Sequence, residues 1–88
     1  MTDFYYIINN TNNIHARPLS DLAKIAKDSQ CEVTITKVND SKDIKKIIGI
    51  IQLNLKVGDE VYVTIKGSDE ILEQKAKENI YNFFKLNF

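Results

Sequence analysis

VYVTIKGSDE, Val61 to Glu70, decides the architecture, because a strand, its end and the start of a helix follow one another within it. Val61, Val63 and Ile65 alternate with Tyr62, Thr64 and Lys66, the period of a strand that turns one face to a core and the other to water. Gly67 ends the strand. Ser68 is expected to cap the next helix, with Asp69 and Glu70 in the first turn, where carboxylates suit the helix dipole. Leu72, Ala76, Ile80 and Phe83 mark its expected buried stripe. A strand with one apolar face calls for an antiparallel sheet that is covered by helices on one side only.

The flanking sequence repeats this pattern. EVTITKV, Glu32 to Val38, alternates in the same way, and Asn39-Asp40 is a turn signal before a short strand near Lys42 to Ile44, so the pair reads as a hairpin. Phe4 to Ile8 is aromatic and β-branched and reads as a strand, while the asparagine-rich Asn9 to Asn13 reads as a loop. Leu19, Leu22, Ala23 and Ala26 recur at helical spacing in a helix that begins at Ala16 to Pro18. KKIIGIIQLNL, Lys45 to Leu55, is expected to be a short helix, although its β-branched residues also suit a buried strand. On that helix Ile50 and Leu53 point one way and Ile47, Ile48 and Ile51 another, so one group should be exposed. The resulting order is β-α-β-β-α-β-α, an α+β domain.

Composition narrows the function. At 88 residues and 43% hydrophobic content, residues 1–88 should form one domain without metals or disulfides. Twelve Lys and Arg balance twelve Asp and Glu, so no global charge favours nucleic acid or an acidic membrane surface. The single Cys31 has no partner for an internal disulfide and reads as a small structural residue. The N-terminus is strand-like where a signal peptide would be basic and then apolar, and no apolar run nears the roughly 20 residues of a membrane span, so a cytoplasmic setting is expected. Asp59-Glu60 and Asp69-Glu70 lack metal-ligand spacing and fit turns and caps, and nothing in the chain calls for a metal or cofactor.

NNIHARPLSDLAKIAK, Asn12 to Lys27, contains the only histidine and the only proline. His15 falls at or beside the N-cap of the first helix, where backbone N–H groups lack intrahelical partners and the positive end of the dipole points outward. That is a place for an anion. Pro18 is tolerated in the first turn because its missing N–H would be unpaired there in any case. The same field disfavours an imidazolium and leaves a ring nitrogen available as a nucleophile. Arg17 adds a planar, permanently charged fork suited to phosphate oxygens. His15, Arg17 and the helix N-terminus formed by Ala16, Arg17 and Pro18 together make a phosphoryl acceptor able to hold phosphohistidine. At about 100° per residue, Arg17, Ser20, Lys24 and Lys27 lie away from the apolar face, forming a basic stripe suited to acidic partners.

These residues carry a resemblance. NNIHARPLSDLA resembles the active-site stretch of HPr, the histidine-containing phosphocarrier of the bacterial phosphoenolpyruvate:sugar phosphotransferase system. KKIIGIIQL is similar to that family's second helix and VYVTIKGSDE to its last strand and the turn into its last helix, so the likeness spans essentially the whole chain. It implies an open-faced β-sandwich, a four-stranded antiparallel sheet with three helices on one face. It also implies a monomeric carrier rather than an enzyme, with no nucleic acid and no membrane insertion. Such a carrier takes phosphate from phospho-enzyme I onto His15 Nδ1 and donates it to enzyme IIA, while Arg17 stabilises the phosphoryl group. By the same resemblance Ile47, Ile48 and Ile51 form an apolar docking patch, alongside Ser20, Lys24, Lys27 and Lys46.

Departures from the family pattern are as informative. Asn13 and Asn54 stand where the family usually has Gly, and Asn accepts left-handed backbone better than other side chains. Leu19 replaces the usual Ala and is expected to alter partner fit. Lys46 occupies the position where many Gram-positive HPr proteins carry a serine phosphorylated by HPr kinase. Two other readings compete. One is a regulatory HPr paralogue without a role in sugar flux. The other is a ferredoxin-like small-molecule or RNA-binding domain, which shares the element order, although the outward row Tyr62, Thr64, Lys66 is thin for stacking RNA bases.

Overall fold

In a computed structural model that describes residues 1–88, the alternation at Val61–Lys66 resolves into a central strand whose Val61, Val63 and Ile65 are fully shielded from water. The elements are β1 (Thr2–Ile7), α1 (Ala16–Asp28), β2 (Glu32–Lys37), β3 (Asp40–Asp43), α2 (Ile47–Gln52), β4 (Glu60–Lys66) and α3 (Glu70–Asn87), in the expected order. The sheet order is β1-β4-β2-β3 with every neighbouring pair antiparallel, so the last strand inserts between the first and second. This is the expected α+β architecture. α3 packs along β1 and β4, α1 lies against both α3 and α2, and α2 packs against β3.

The core lies between sheet and helices. Val33 and Ile35 of β2 meet Leu19, Leu22 and Ala26 of α1 and Ala76, Ile80 and Phe84 of α3 in one buried cluster. Burial of each large apolar side chain contributes about 1.5–3 kcal/mol, so this face holds the helices down. An aromatic group closes the β1 end, with Phe84 edge-on to Phe4 at 5.6 Å, to Tyr6 at 5.4 Å and to Phe88 at 5.1 Å. Cys31 is buried as a structural residue, and its Sγ would stand 2.7 Å from a Cβ at position 67, which explains why a glycine ends β4.

Several local expectations are corrected. α3 is capped by Asp69, not Ser68, because the Asp69 carboxylate accepts from the Leu72 N–H at 2.9 Å. Its buried stripe is Glu73, Ala76, Ile80 and Phe84, while Leu72 and Phe83 are only partly covered. Glu73 is buried because it accepts from the Gly67 N–H at 2.9 Å and pairs with the Met1 ammonium at 3.0 Å. These two partners, the Gly67 amide first, hold its carboxyl below the usual range. β1 begins and ends earlier than Phe4 to Ile8, and β3 is Asp40–Asp43, with Ile44 buried just beyond it.

The hairpin turn is Val38-Asn39, one residue before the expected pair, since Lys37 is opposite Asp40. Val38 takes φ 58° there, a left-handed conformation that costs a β-branched residue on the order of 1–2 kcal/mol. Its side chain is 84% exposed and contributes little packing. Val38→Gly should therefore raise stability by about 1 kcal/mol net of glycine's entropy cost, visible as a Tm increase of roughly 4–8 °C.

Candidate functional site

His15 is the N-cap of α1, with φ −150° and ψ 174°, and its carbonyl accepts the first helical bond from Leu19 N at 3.1 Å. The side chain makes no capping hydrogen bond and the residue is exposed. The loop before it is held by its own polar groups. Asn10 Oδ1 accepts from Asn12 N at 2.7 Å, and Ile14 N donates to Thr11 O at 3.1 Å. Asn13 does not take left-handed backbone; instead its side-chain amide reaches the Asn87 carbonyl and side-chain oxygen, each at 3.4 Å, tying the loop to the end of α3.

Ala16 and Arg17 begin the helix with N–H groups that have no backbone acceptor, and Pro18 has none to offer. The start of α1 thus brings together in sequence two unpaired amide donors, an exposed arginine and an exposed histidine whose side chain makes no cap bond. Pro18 contributes only its fixed φ. No acidic residue sits in the first turn to compete for those donors. Leu19, next along, is fully buried, so its bulk fills the core and does not reach a partner. Ser20, Lys24 and Lys27 are exposed along the same helix, as the wheel places them.

α2 forms as a helix, with Lys46 as an exposed, extended N-cap. Its isoleucines divide as the wheel requires: Ile50 and Leu53 are buried, while Ile48 is 72% and Ile51 45% exposed. Ile47 is intermediate, packed on the edge of the core. Asn54 takes φ 54° directly after the helix, so here asparagine does replace glycine in a left-handed position. Lys37 fixes this end: its Nζ donates to the Leu53 and Asn54 carbonyls at 3.3 and 3.0 Å and pairs with Asp59 at 2.9 Å. Asp59 also accepts from Lys56 N at 2.8 Å, and the bond from Lys37, ahead of that one, holds its carboxyl below the usual range.

Two contributors take their place from the fold. Lys45 joins Lys24 and Lys27 around one cleft between α1 and the approach to α2, which extends the basic stripe across both helices. Lys37 shares the inward parity of Val33 and Ile35, and a lysine at an inward strand position is the available sign that it has a buried task. No helix of the fold is long and apolar enough to cross a membrane.

Known proteins resemble this chain in sequence and in fold. The family described as PTS HPr component phosphorylation site matches residues 3–85. A phosphocarrier protein HPr from Mycoplasma capricolum is 32% identical over 69 residues, 78% of this chain and 78% of that protein. A multiphosphoryl transfer protein from Xanthomonas campestris is 32% identical over 66 residues, which are 75% of this chain but only 8% of that much longer protein. Among solved structures, HPr-C-His from Thermoanaerobacter tengcongensis superposes with a TM-score of 0.81 at 25% identity, covering 97% of this chain and 92% of that one.

Proposed function

The chain belongs to the PTS HPr family, and from that premise we propose that it carries phosphoryl groups from phospho-enzyme I to enzyme IIA on His15. The observation that carries the reading is the exposed His15 at the N-cap, its side chain uncommitted to capping, beside the free amides of Ala16 and Arg17. In acceptance, the bond from His15 Nδ1 to phosphorus forms as the bond from phosphorus to the donor histidine breaks; donation reverses the roles. The two amides and the Arg17 guanidinium bind the phosphoryl oxygens as they pass. Pro18 shapes the turn. The carrier is not itself an enzyme and needs no cofactor for this step.

Docking is assigned to Ile48 and Ile51, with Ile47 at their margin, and to Ser20 with the basic set Lys24, Lys27 and Lys46, which Lys45 extends. Positive charge around an apolar patch suits acidic partner surfaces and speeds encounter at low salt. The RNA-binding alternative loses ground because the open face of the sheet bears Asp3, Glu32, Asp43 and Glu60 against the single cation Lys66, a charge that repels a phosphate backbone. Incubation with enzyme I and phosphoenolpyruvate tests the main reading. Intact mass should show one added phosphoryl group, labile in acid and stable in base; an unmodified chain refutes it.

Arg17 is exposed and takes part in none of the three ion pairs, so Arg17→Ala should leave Tm unchanged. A charge-assisted hydrogen bond is worth about 1.5–3 kcal/mol, so acceptance and donation should both slow by roughly ten- to a hundredfold in stopped transfer assays.

The same reading predicts no regulation by phosphorylation at the α2 N-cap, where Lys46 stands. A phosphate at the α2 N-cap would set negative charge beside an apolar patch that acidic partners approach, weakening docking by repulsion and desolvation. Lys46 places positive charge there instead. HPr kinase and ATP should leave the chain without seryl phosphate, whereas Lys46→Ser should gain it; stoichiometric seryl phosphorylation of the unaltered chain that blocks acceptance from enzyme I would show that regulation persists.

A further inference from the structure

The face of the sheet turned away from the helices has no covering element. Strand register places Tyr5, Tyr62, Thr36 and Ser41 in one outward row across all the strands and Asp3, Thr64, Thr34 and Asp43 in the next. Ile7 opposite Glu60 and Glu32 opposite Lys66 complete it. None of the carboxylates Asp3, Glu32, Asp43 and Glu60 belongs to an ion pair, and Lys66 is the one cation among these residues. A chain of zero formal charge is therefore divided, with a basic helical side and an acidic sheet side.

The acidic side also has an aromatic centre. Tyr5 is 64% exposed and its ring lies 4.6 Å from that of Tyr62, tilted by 31°. The Tyr62 hydroxyl donates to the Asp3 carboxylate, which fixes the ring; that bond, the largest cause, also raises the pKa of the phenol. Ile7 and Val38 expose further apolar surface at the same end of the sheet, beside a shallow cleft of about 260 Å³ whose lining includes Tyr5, Tyr62 and Glu60. A fixed aromatic pair among unpaired carboxylates is matched by a planar, weakly hydrated cation, which stacks on a ring while its edge bonds to an acid.

We propose that the open sheet face is a second docking surface, taking an arginine-bearing segment of a partner protein with a guanidinium over Tyr5 and Tyr62 and Glu60 as its counter-charge. Ammonium groups fit less well, because they are more strongly hydrated and cannot stack as a plane. Nucleic acid is disfavoured by like charge. Because this face lies across the sheet from α1, whose N-cap is His15, such a partner can be held while the helical side is engaged elsewhere.

The test follows the backbone amide resonances of the isotope-labelled full chain during titration with an eight-residue peptide of alternating Arg and Gly, with its Lys–Gly counterpart, and with an oligothymidylate. Shifts confined to Asp3–Ile7, Thr36 and Glu60–Thr64, at least several-fold weaker affinity for the lysine peptide, and no response to the oligonucleotide are expected. Glu60→Gln and, separately, Tyr5→Ser should each weaken arginine-peptide binding several-fold without changing uptake of phosphate from enzyme I. Equal binding of the two peptides, shifts centred on the acidic residues of α3, or binding of the oligonucleotide in their place would overturn the assignment. If Tyr5→Ser fails to fold, Glu60→Gln decides alone, since an unchanged affinity there removes the counter-charge from the site.

Discussion

His15→Asn is expected to take up no phosphoryl group from enzyme I while making the protein more stable. Both halves follow from one observation. His15 has the backbone of an N-cap but supplies no side-chain acceptor to the amides above it. Asparagine is among the best residues for that position, and a good cap is worth about 0.5–2 kcal/mol over a side chain that does not cap. A gain near 1 kcal/mol would raise Tm by roughly 4–8 °C for a domain of this size. The acceptor is lost at the same time, because an amide nitrogen is not a nucleophile toward phosphorus. Calorimetry and intact mass on one preparation check the pair of outcomes. A variant that loses stability would show that the imidazole supports the fold, and one that still gains phosphate would move the acceptor elsewhere. On the proposed role, the helix start gives up a cap bond so that its free amides remain for the phosphoryl oxygens.

The legibility of this site in the sequence has a specific origin. Pro18 marks the helix start, and the apolar repeat from Leu19 orients the helix, so His15, Arg17 and the basic stripe could all be placed from local rules. β4 is equally plain because its alternation is unbroken, and β2 because its alternation holds as far as Lys37. Other features depend on long-range fit. Ser68 and Asp69 are both good caps; the choice between them follows the path of the chain through Gly67, where Cys31 and Glu73 leave no room for a side chain. Glu73 sits on the buried stripe only because the Gly67 amide and the Met1 ammonium come to it from distant parts of the chain. Asn13 and Asn54 look alike as replacements for glycine, yet one serves with its side chain and the other with its backbone. The insertion of β4 between β1 and β2, and with it the Tyr5–Tyr62 pair, has no local signal at all.

Ile48→Asp and Ile50→Asp, two substitutions of the same kind two residues apart, are expected to fail in opposite ways. Ile48 is 72% exposed and lies in the first turn of α2, where a carboxylate suits the helix dipole, so its replacement should change stability by no more than about 0.5 kcal/mol. If α2 docks partners as proposed, the same change puts a negative charge into the apolar patch that acidic partners would approach. Central apolar contacts of such interfaces contribute about 2 kcal/mol or more, so affinity for enzyme I should fall by about thirtyfold or further, at all salt concentrations because the loss is mainly of burial. Ile50 is 1% exposed in the core cluster. Truncation of a buried isoleucine alone costs about 2–5 kcal/mol, and an unpaired buried carboxylate adds to that cost in a domain whose total stability is of order 5–15 kcal/mol. Ile50→Asp should therefore be largely unfolded by circular dichroism. A strongly destabilised Ile48→Asp protein would place that side chain in the core, and a stable one that still binds enzyme I normally would remove α2 from the docking surface.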